Sequence, residues 1–345
     1  MVVQGNSENG LDEDGLFLRY TFVADAGQEP YRIDKFLVNR IEKASRSKVQ
    51  EAIDKKQVLV NGKPVKSSYK IRPEDIIEVK VEKEPHEFEV TPEDIPLDIV
   101  YEDEALMIIN KKAGMVVHPG YGNYNGTLLN ALAFHLKTPA HYIGTRPWLV
   151  HRIDKNTSGL MVIAKTDESM AFLAKQFKKH TIERTYNALV WGSPEEKQGT
   201  INTFIGRDIY DRKKYVPYTE EDDKGKRAIT HYKVLEDFHF TCFVQCNLET
   251  GRTHQIRVHM KHLGHPLFND DFYGGNRILK GVVFSKYKQF IENCFDILPR
   301  QALHAKSLGF EHPTTREWMQ FESDLPYDMA VVLEKWRTAS ETYGF

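Results

Sequence analysis

The spacing of apolar residues along the chain changes period several times, and each change predicts an element. LRYTFVADAG at 18–27 alternates well enough for a first strand. In the following YRIDKFLVNRIEKAS, Ile33, Phe36, Leu37 and Ile41 recur at helical spacing and would line one face. Ser45 is placed to cap a second short helix, RSKVQEAIDKKQ, which would bury Val49, Ala52 and Ile53. VLVNGKPV then predicts a hairpin, because Asn61-Gly62 between β-rich flanks suits a type I′ turn, in which both central residues need positive φ.

Downstream the pattern shifts to short apolar runs. LDIVYEDEALMIINKKAGMVVHPG contains several strand-like stretches with a turn at Lys112–Gly114. PWLV and MVIAK predict short buried strands on either side of residues 151–160, KKHTIERTYNALVWG a basic run leading into a strand that holds Tyr186, and FTCFVQCNL a hydrophobic strand. LETGRTHQIRVHM at 248–260 also reads as a strand, with Gln255, Arg257 and His259 on one face and His254, Ile256 and Val258 on the other. Strands and helices alternate irregularly and without a repeat period, which favours an α+β mixed sheet over a doubly wound fold.

Composition divides the chain. Residues 1–18 are polar and acidic and predict a disordered tail, 19–82 a small module, 83–96 a linker, and 97–345 the larger domain. The linker assignment rests on VEKEPHEFEVTPEDIP at 81–96, with three prolines and six acidic residues. Net formal charge is only −2, yet residues 31–80 carry thirteen Lys and Arg against seven Asp and Glu. A basic module in a nearly neutral chain is the footprint expected of a nucleic-acid contact, although most charge runs are solvated helix faces. Three cysteines without a disulfide pattern, a polar N-terminus and no apolar run near the roughly 18–20 residues of a membrane span predict a soluble cytoplasmic protein and no membrane partner.

Candidate chemistry concentrates in HRIDKNTSGL at 151–160. Asp154 is the candidate catalytic group; Thr157, Ser158 and Gly159 are turn-forming residues between rigid flanks. The same residues would also suit a surface loop in which Arg152 and Asp154 form an exposed ion pair.

His151-Arg152-Ile153-Asp154 with Thr157-Ser158-Gly159-Leu160 resembles the HRLDxxTSGL signature of the RluA family of pseudouridine synthases, with Ile153 in the leucine place. LETGRTHQIRVHM and RQALHAKSLGFEHP at 300–313 are similar to two further motifs of that family, and HPGYGNYNGTLLNAL at 118–132 to its first. Residues 31–80 resemble the S-four-like RNA-binding module, an αα-hairpin, of RluD-like members. The resemblance implies an α+β fold with a mixed, largely antiparallel central sheet and a cleft across its middle. It implies an RNA substrate, ribosomal RNA of the large subunit or pre-ribosomal particles, contacted by Arg40, Lys43, Arg46, Lys48 and Lys55 of the module. In the cleft it makes Asp154 the nucleophile or base, Arg257 its ion-pair partner, Tyr186 the ring under the extruded base, and Arg152 the side chain that fills the vacated space. Arg184 stands where the family's strand has lysine, and Asn269 in NDDFYGG where it has glycine; that segment is expected to lie outside the chemistry. His151 is expected to be loop scaffolding.

Pseudouridine formation breaks the bond from the anomeric carbon to N1 of uracil and rejoins the base through C5. Only a proton is exchanged, so no nicotinamide, metal or nucleoside triphosphate is required, and no cofactor is expected. The glycine-rich loop at 118–126 has neither G-x-G-x-x-G nor a GK[ST] ending, which argues against a nucleotide cofactor. His254, His259, His262, His265, Cys242 and Cys246 lack metal-site spacing, and buried thiols are the simpler reading. Two rivals differ in class: an RNA-binding assembly protein, for which a carboxylate facing phosphates is a liability, and a glycosidase or nucleoside hydrolase, which generally needs a second positioned carboxylate.

Overall fold

The computed structural model describes residues 2–3, 17–41, 44–81, 88–120, 122–137, 140–142, 149–211, 213–222, 224–281 and 284–343. The chain divides into two compact units, Met1–Glu89 with His141–Thr145, and Val90–Ala140 with Arg146–Phe345.

The first unit runs β1 (Val2–Val3), β2 (Phe17–Val23), β3 (Tyr31–Arg32), α1 (Ile33–Arg40), α2 (Arg46–Asp54), β4 (Val58–Val60), β5 (Lys63–Pro64), β6 (Lys70–Ile71) and β7 (Ile76–Val81). Its sheet has the order β1-β2-β7-β4-β5, with β3 and β6 paired separately. The apolar faces read from helical spacing are the ones that sink: Ile33, Phe36, Leu37, Val49 and Ile53 are buried with Phe22, Val58 and Ile77. Each such side chain contributes about 1.5–3 kcal/mol by leaving water. The Ser45 hydroxyl accepts the N–H of Lys48 and caps α2. Asn61 and Gly62 both take positive φ, 51° and 75°, as a type I′ turn requires. Val2–Val3 pair with Thr21 and Phe22, so the predicted tail contains a strand; residues 4–16 and Lys43 lie outside the described residues.

From there the elements are β8 (Phe88–Val90), β9 (Ile99–Glu102), β10 (Leu106–Lys111), α3 (Leu128–His135), β11 (Ala140–Tyr142), β12 (Ser158–Ala164), α4 (Asp167–Lys179), β13 (Glu183–Trp191), β14 (Gln198–Arg207), β15 (Tyr215–Tyr218), β16 (Lys226–Asp237), β17 (Thr241–Leu248), α5 (Gln255–His262), α6 (Ser285–Ile297), β18 (Leu303–Glu311), β19 (Trp318–Glu322) and α7 (Tyr327–Tyr343). Ten strands form one sheet in the order β15-β14-β16-β17-β13-β18-β12-β10-β9, with β19 on β18. All its pairings are antiparallel except β12 with β18. This is the mixed, largely antiparallel sheet of an α+β fold. Trp191, Phe268, Tyr287 and Trp336 centre one core under α6 and α7; Leu106, Val162, Leu173 and Phe310 centre another under α4. Cys242, Cys246 and Cys294 are buried free thiols, each pushed up to about 12 by burial.

Three expectations need correction. Residues 255–262 form a helix, not a strand. All of Gln255–Met260 are buried, so the apolar alternation of Ile256 and Val258 carried no information about period. The Gln255 side chain accepts the Arg252 N–H at 3.0 Å at one end, and Gly264 with φ +91° follows the other, both helix-end devices. The linker is shorter than its prolines and charges suggest. Residues 88–90 form β8, and the Glu93 carboxylate accepts the Gly126 N–H at 3.0 Å while Asn130 Nδ2 donates to the Thr91 carbonyl at 2.9 Å, tying 91–93 to α3. Lastly, Leu149 makes only an isolated bridge to Ile163, and Pro147 and Trp148 fall outside the described residues.

Candidate active site

The loop at 151–157 enters β12, and every side of it is tied. Ile153 is buried, and the Val162 N–H donates to His151 Nε2 at 3.1 Å. The His151 ring stacks on Phe177 with centroids 4.7 Å apart. Burial, reinforced by Arg184, pulls its imidazole down to about 3, which keeps the accepting nitrogen unprotonated. Lys111 Nζ donates to the carbonyls of Lys112, Met115 and Lys155 at 2.9, 3.0 and 3.0 Å. Burial and then Arg300 pull this ammonium down to about 7, whereas three carbonyl acceptors require the three donors that only the charged form has. Arg300 Nη1 donates to the Asn156 carbonyl at 3.0 Å while its Nε and Nη2 hold Asp328 at 2.7 and 2.8 Å. Where the loop joins β12, Gly159 has φ +115° and lies so close to β18 that a Cβ would collide with the Ala305 carbonyl. Only glycine fits there.

This framework presents Asp154. Arg257 Nη1 donates to Asp154 Oδ2 at 3.0 Å, and Arg257 Nε and Nη2 hold Asp270 at 2.8 Å each. Asp270 is fully buried, the Arg257 side chain is 4% exposed, and that of Asp154 is 20% exposed. Asp270 also accepts the N–H groups of Phe272 and Tyr273, whose rings lie 5.4 and 5.0 Å from the guanidinium. Fixed on one side by a bidentate pair and flanked by aromatic rings, Arg257 offers its remaining edge to Asp154. Asp270 and Tyr273 overturn the expectation that NDDFYGG lies outside the site. Asn269 itself takes φ +56°, so asparagine serves where glycine was expected.

Tyr186 lies in β13 beside β18, opposite Ala305, and is 8% exposed; burial pushes its hydroxyl up from the ordinary phenol value, so it is neutral. It lines, with Asp154, a cleft of about 520 Å³ whose wall also includes His118, Arg152, Lys178, His180, Arg184 and Arg252. Among the described residues that line it, Asp154 is the sole carboxylate among cations, a surface suited to a polyanion. Arg152 is exposed at its edge. Arg184 is buried, with Nη2 on the carbonyls of Leu248 and Glu249 at 3.4 and 3.3 Å, and burial lowers its basicity.

The structure thus brings together Asp154, Arg257, Tyr186 and Arg152. The module cations lie in the first unit and have local roles: Arg40 stands 3.7 Å from Asp25 and 4.3 Å over Phe36, Arg46 donates to buried Asp34 at 3.0 Å, Lys55 meets Glu51 at 3.0 Å, and Lys48 is exposed. Sequence reading missed Lys111, Asp270, His254 and Tyr273. For Lys111, Asp270 and Tyr273 the advance signal was density of polar residues beside glycine, as in NKKAG and NDDFYGG; His254 stood inside the LETGRTHQIRVHM motif but was weighed there only as a strand residue and a metal ligand. Among the described residues no cluster of His, Cys, Asp and Glu suits a metal ion, and no helix is long and apolar enough to cross a membrane.

One carboxylate, clamped by an arginine on the floor of a cationic cleft in a mixed sheet, defines an enzyme that acts on a polyanionic substrate. The profile of the RNA pseudouridylate synthases matches residues 105–262, and that of the S4 domain matches 32–77. An uncharacterized RNA pseudouridine synthase of Chlorobaculum parvum is 48% identical over 90% of this chain and 95% of its own. Ribosomal large subunit pseudouridine synthase D of Zymomonas mobilis is 40% identical over 88% of this chain and 93% of its own. Human RNA pseudouridylate synthase domain containing 4 has the same fold, with TM-score 0.53 and 23% identity over 69% of this chain and 92% of that one. The chain belongs to the RluA family of RNA pseudouridine synthases, as a member with an N-terminal S4 domain.

Proposed function

We propose that this RNA pseudouridine synthase isomerises uridines in large-subunit ribosomal RNA, in the cytoplasm, with Asp154 acting on the sugar. The observation that carries the reading is Asp154, held by Arg257 at 3.0 Å and lining the cleft with Tyr186. Asp154 attacks the anomeric carbon and is released when C5 rebonds there, or removes a sugar proton to give a glycal and returns it; in either route the bond to N1 breaks, the uracil turns, C5 bonds to the anomeric carbon, and C5 loses a proton while N1 gains one. Tyr186 supplies a neutral ring against the extruded base. Arg152, exposed at the edge, fills the stack the base vacates, which offsets part of an unstacking cost of a few kcal/mol. The S4 domain supplies salt-dependent affinity through phosphate contacts from Arg40, Lys43, Arg46, Lys48 and Lys55. The ribosomal substrate is supported by the relatives named for the large subunit.

The test is a carbodiimide-based pseudouridine map of total RNA from cells with and without the chain, complemented by wild type or Asp154→Asn. Discrete large-subunit positions should vanish and return with wild type alone. Restoration by Asp154→Asn would sink the role of Asp154; loss confined to transfer RNA would sink the substrate.

A further inference from the structure

His254 occupies a backbone conformation that few side chains adopt. It stands at the start of α5 with φ +58°, where a residue other than glycine persists only if its surroundings over-determine it. Edge-on rings of Tyr215, Phe272 and Tyr273 enclose its imidazole at centroid distances of 5.6, 5.9 and 5.6 Å. Nδ1 lies 2.8 Å from the Tyr273 hydroxyl, which also accepts the backbone N–H of Tyr215 at 3.2 Å.

These contacts favour one tautomer. A phenol carries one hydrogen, and its oxygen is already accepting from Tyr215. Among the described residues that hydrogen has no acceptor except Nδ1, and giving it to Nδ1 assigns the imidazole proton to Nε2. Nε2 is 3.8 Å from Asp154 Oδ2, the oxygen that Arg257 already holds. Such a separation shortens to a hydrogen bond in many active sites when substrate arrives.

We propose that His254, with its tautomer set by Tyr273, is a positioning residue that joins Arg257 on Oδ2 of Asp154 and leaves Oδ1 as the oxygen directed at the sugar. The inference rests on Asp154 being the reacting carboxylate. Charged groups facing His254 are Asp154, Arg257, Asp270 and Arg152; burial outweighs them and holds the imidazole below its ordinary value. It is therefore neutral, as one donating and one accepting nitrogen require.

Single-turnover and steady-state kinetics on an RNA substrate test this with His254→Leu, His254→Gln, Tyr273→Phe and Asp154→Asn side by side. His254→Leu should lower kcat about 10–100-fold with KM within about threefold, the pattern of an interaction made in the transition state. His254→Gln, whose amide N–H reaches the Nε2 position, should recover to within about fivefold of wild type. Imidazole ¹⁵N spectra should show His254 protonated on Nε2 in the wild type and a mixture of tautomers in Tyr273→Phe. A wild-type Nδ1–H tautomer overturns the proposal whatever the variants do. Unchanged kcat in His254→Leu beside an inactive Asp154→Asn overturns it and leaves Asp154 standing, whereas an active Asp154→Asn removes the reading on which it rests.

Discussion

Each unit holds an arginine–carboxylate cluster, and the two are wired in opposite senses. In the first, one carboxylate serves two arginines: fully buried Asp34 accepts from Arg32 at 3.0 Å, Arg46 at 3.0 Å, Gln50 at 3.4 Å and the Lys35 N–H at 2.9 Å. In the second, one arginine serves two carboxylates, saturating Asp270 and touching Asp154 once. Saturation consumes the lone pairs of Asp34 and leaves none for a substrate, so this carboxylate joins α1 to α2. Asp154 is held by a cation that is itself immobilised elsewhere, and keeps an oxygen toward the cleft. Stability and reactivity differ here by which partner is in excess.

The comparison breaks most sharply at the two aspartates. Asp154→Asn should lower kcat by at least about 1000-fold while leaving the free energy of unfolding in urea within about 0.5 kcal/mol of wild type, since the side chain is partly exposed and the volume is kept. Equal stability losses at Asp154 and Asp34 would erase the distinction. Arg257→Met should abolish activity and also destabilise the second unit by about 3–5 kcal/mol, because Asp270 is left buried and unpaired. A retained midpoint would mean that Asp270 takes up a proton or a new partner. Asp34→Asn should cost the first unit about 1–3 kcal/mol, less than Arg257→Met because Arg32 and Arg46 reach solvent, with kcat preserved. Hydrogen exchange of α1 amides reads this loss without relying on global unfolding.

The smallest effect is a pH dependence. The Arg32 hydrogen bonds hold the Asp34 carboxyl down to about 2 from an ordinary 3.8. Between those values the unfolded chain binds the extra proton, so stability present above about 4 drains away as pH falls toward 2. Protection of α1 amides should fall in that window in wild type and stay flat in Asp34→Asn.

Much of the fold and part of the site were legible because their causes are local. Ser45 before α2 and Asn61-Gly62 between strands act through the φ/ψ preferences and hydrogen bonds of a few neighbouring residues, and both elements form where the sequence places them. The decade at 151–160 advertised a tied polar loop with Asp154 as its candidate group, whereas Arg257 was named by the family resemblance of its motif. Tertiary structure decided the rest. Buried on all sides, Gln255–Met260 had no polar face to reveal helical period, so packing rather than pattern made α5. Lys111 and Arg300 look like ordinary cations until the backbone carbonyls of the loop converge on them. That Gly159 must be glycine follows from parallel β18 passing beside it, a neighbour 146 positions away along the chain at the Ser158–His304 contact. Asp270, His254 and Tyr273 join Asp154 through contacts whose spacing no local rule encodes. An ion pair spanning 103 positions forms because the sheet brings its ends together.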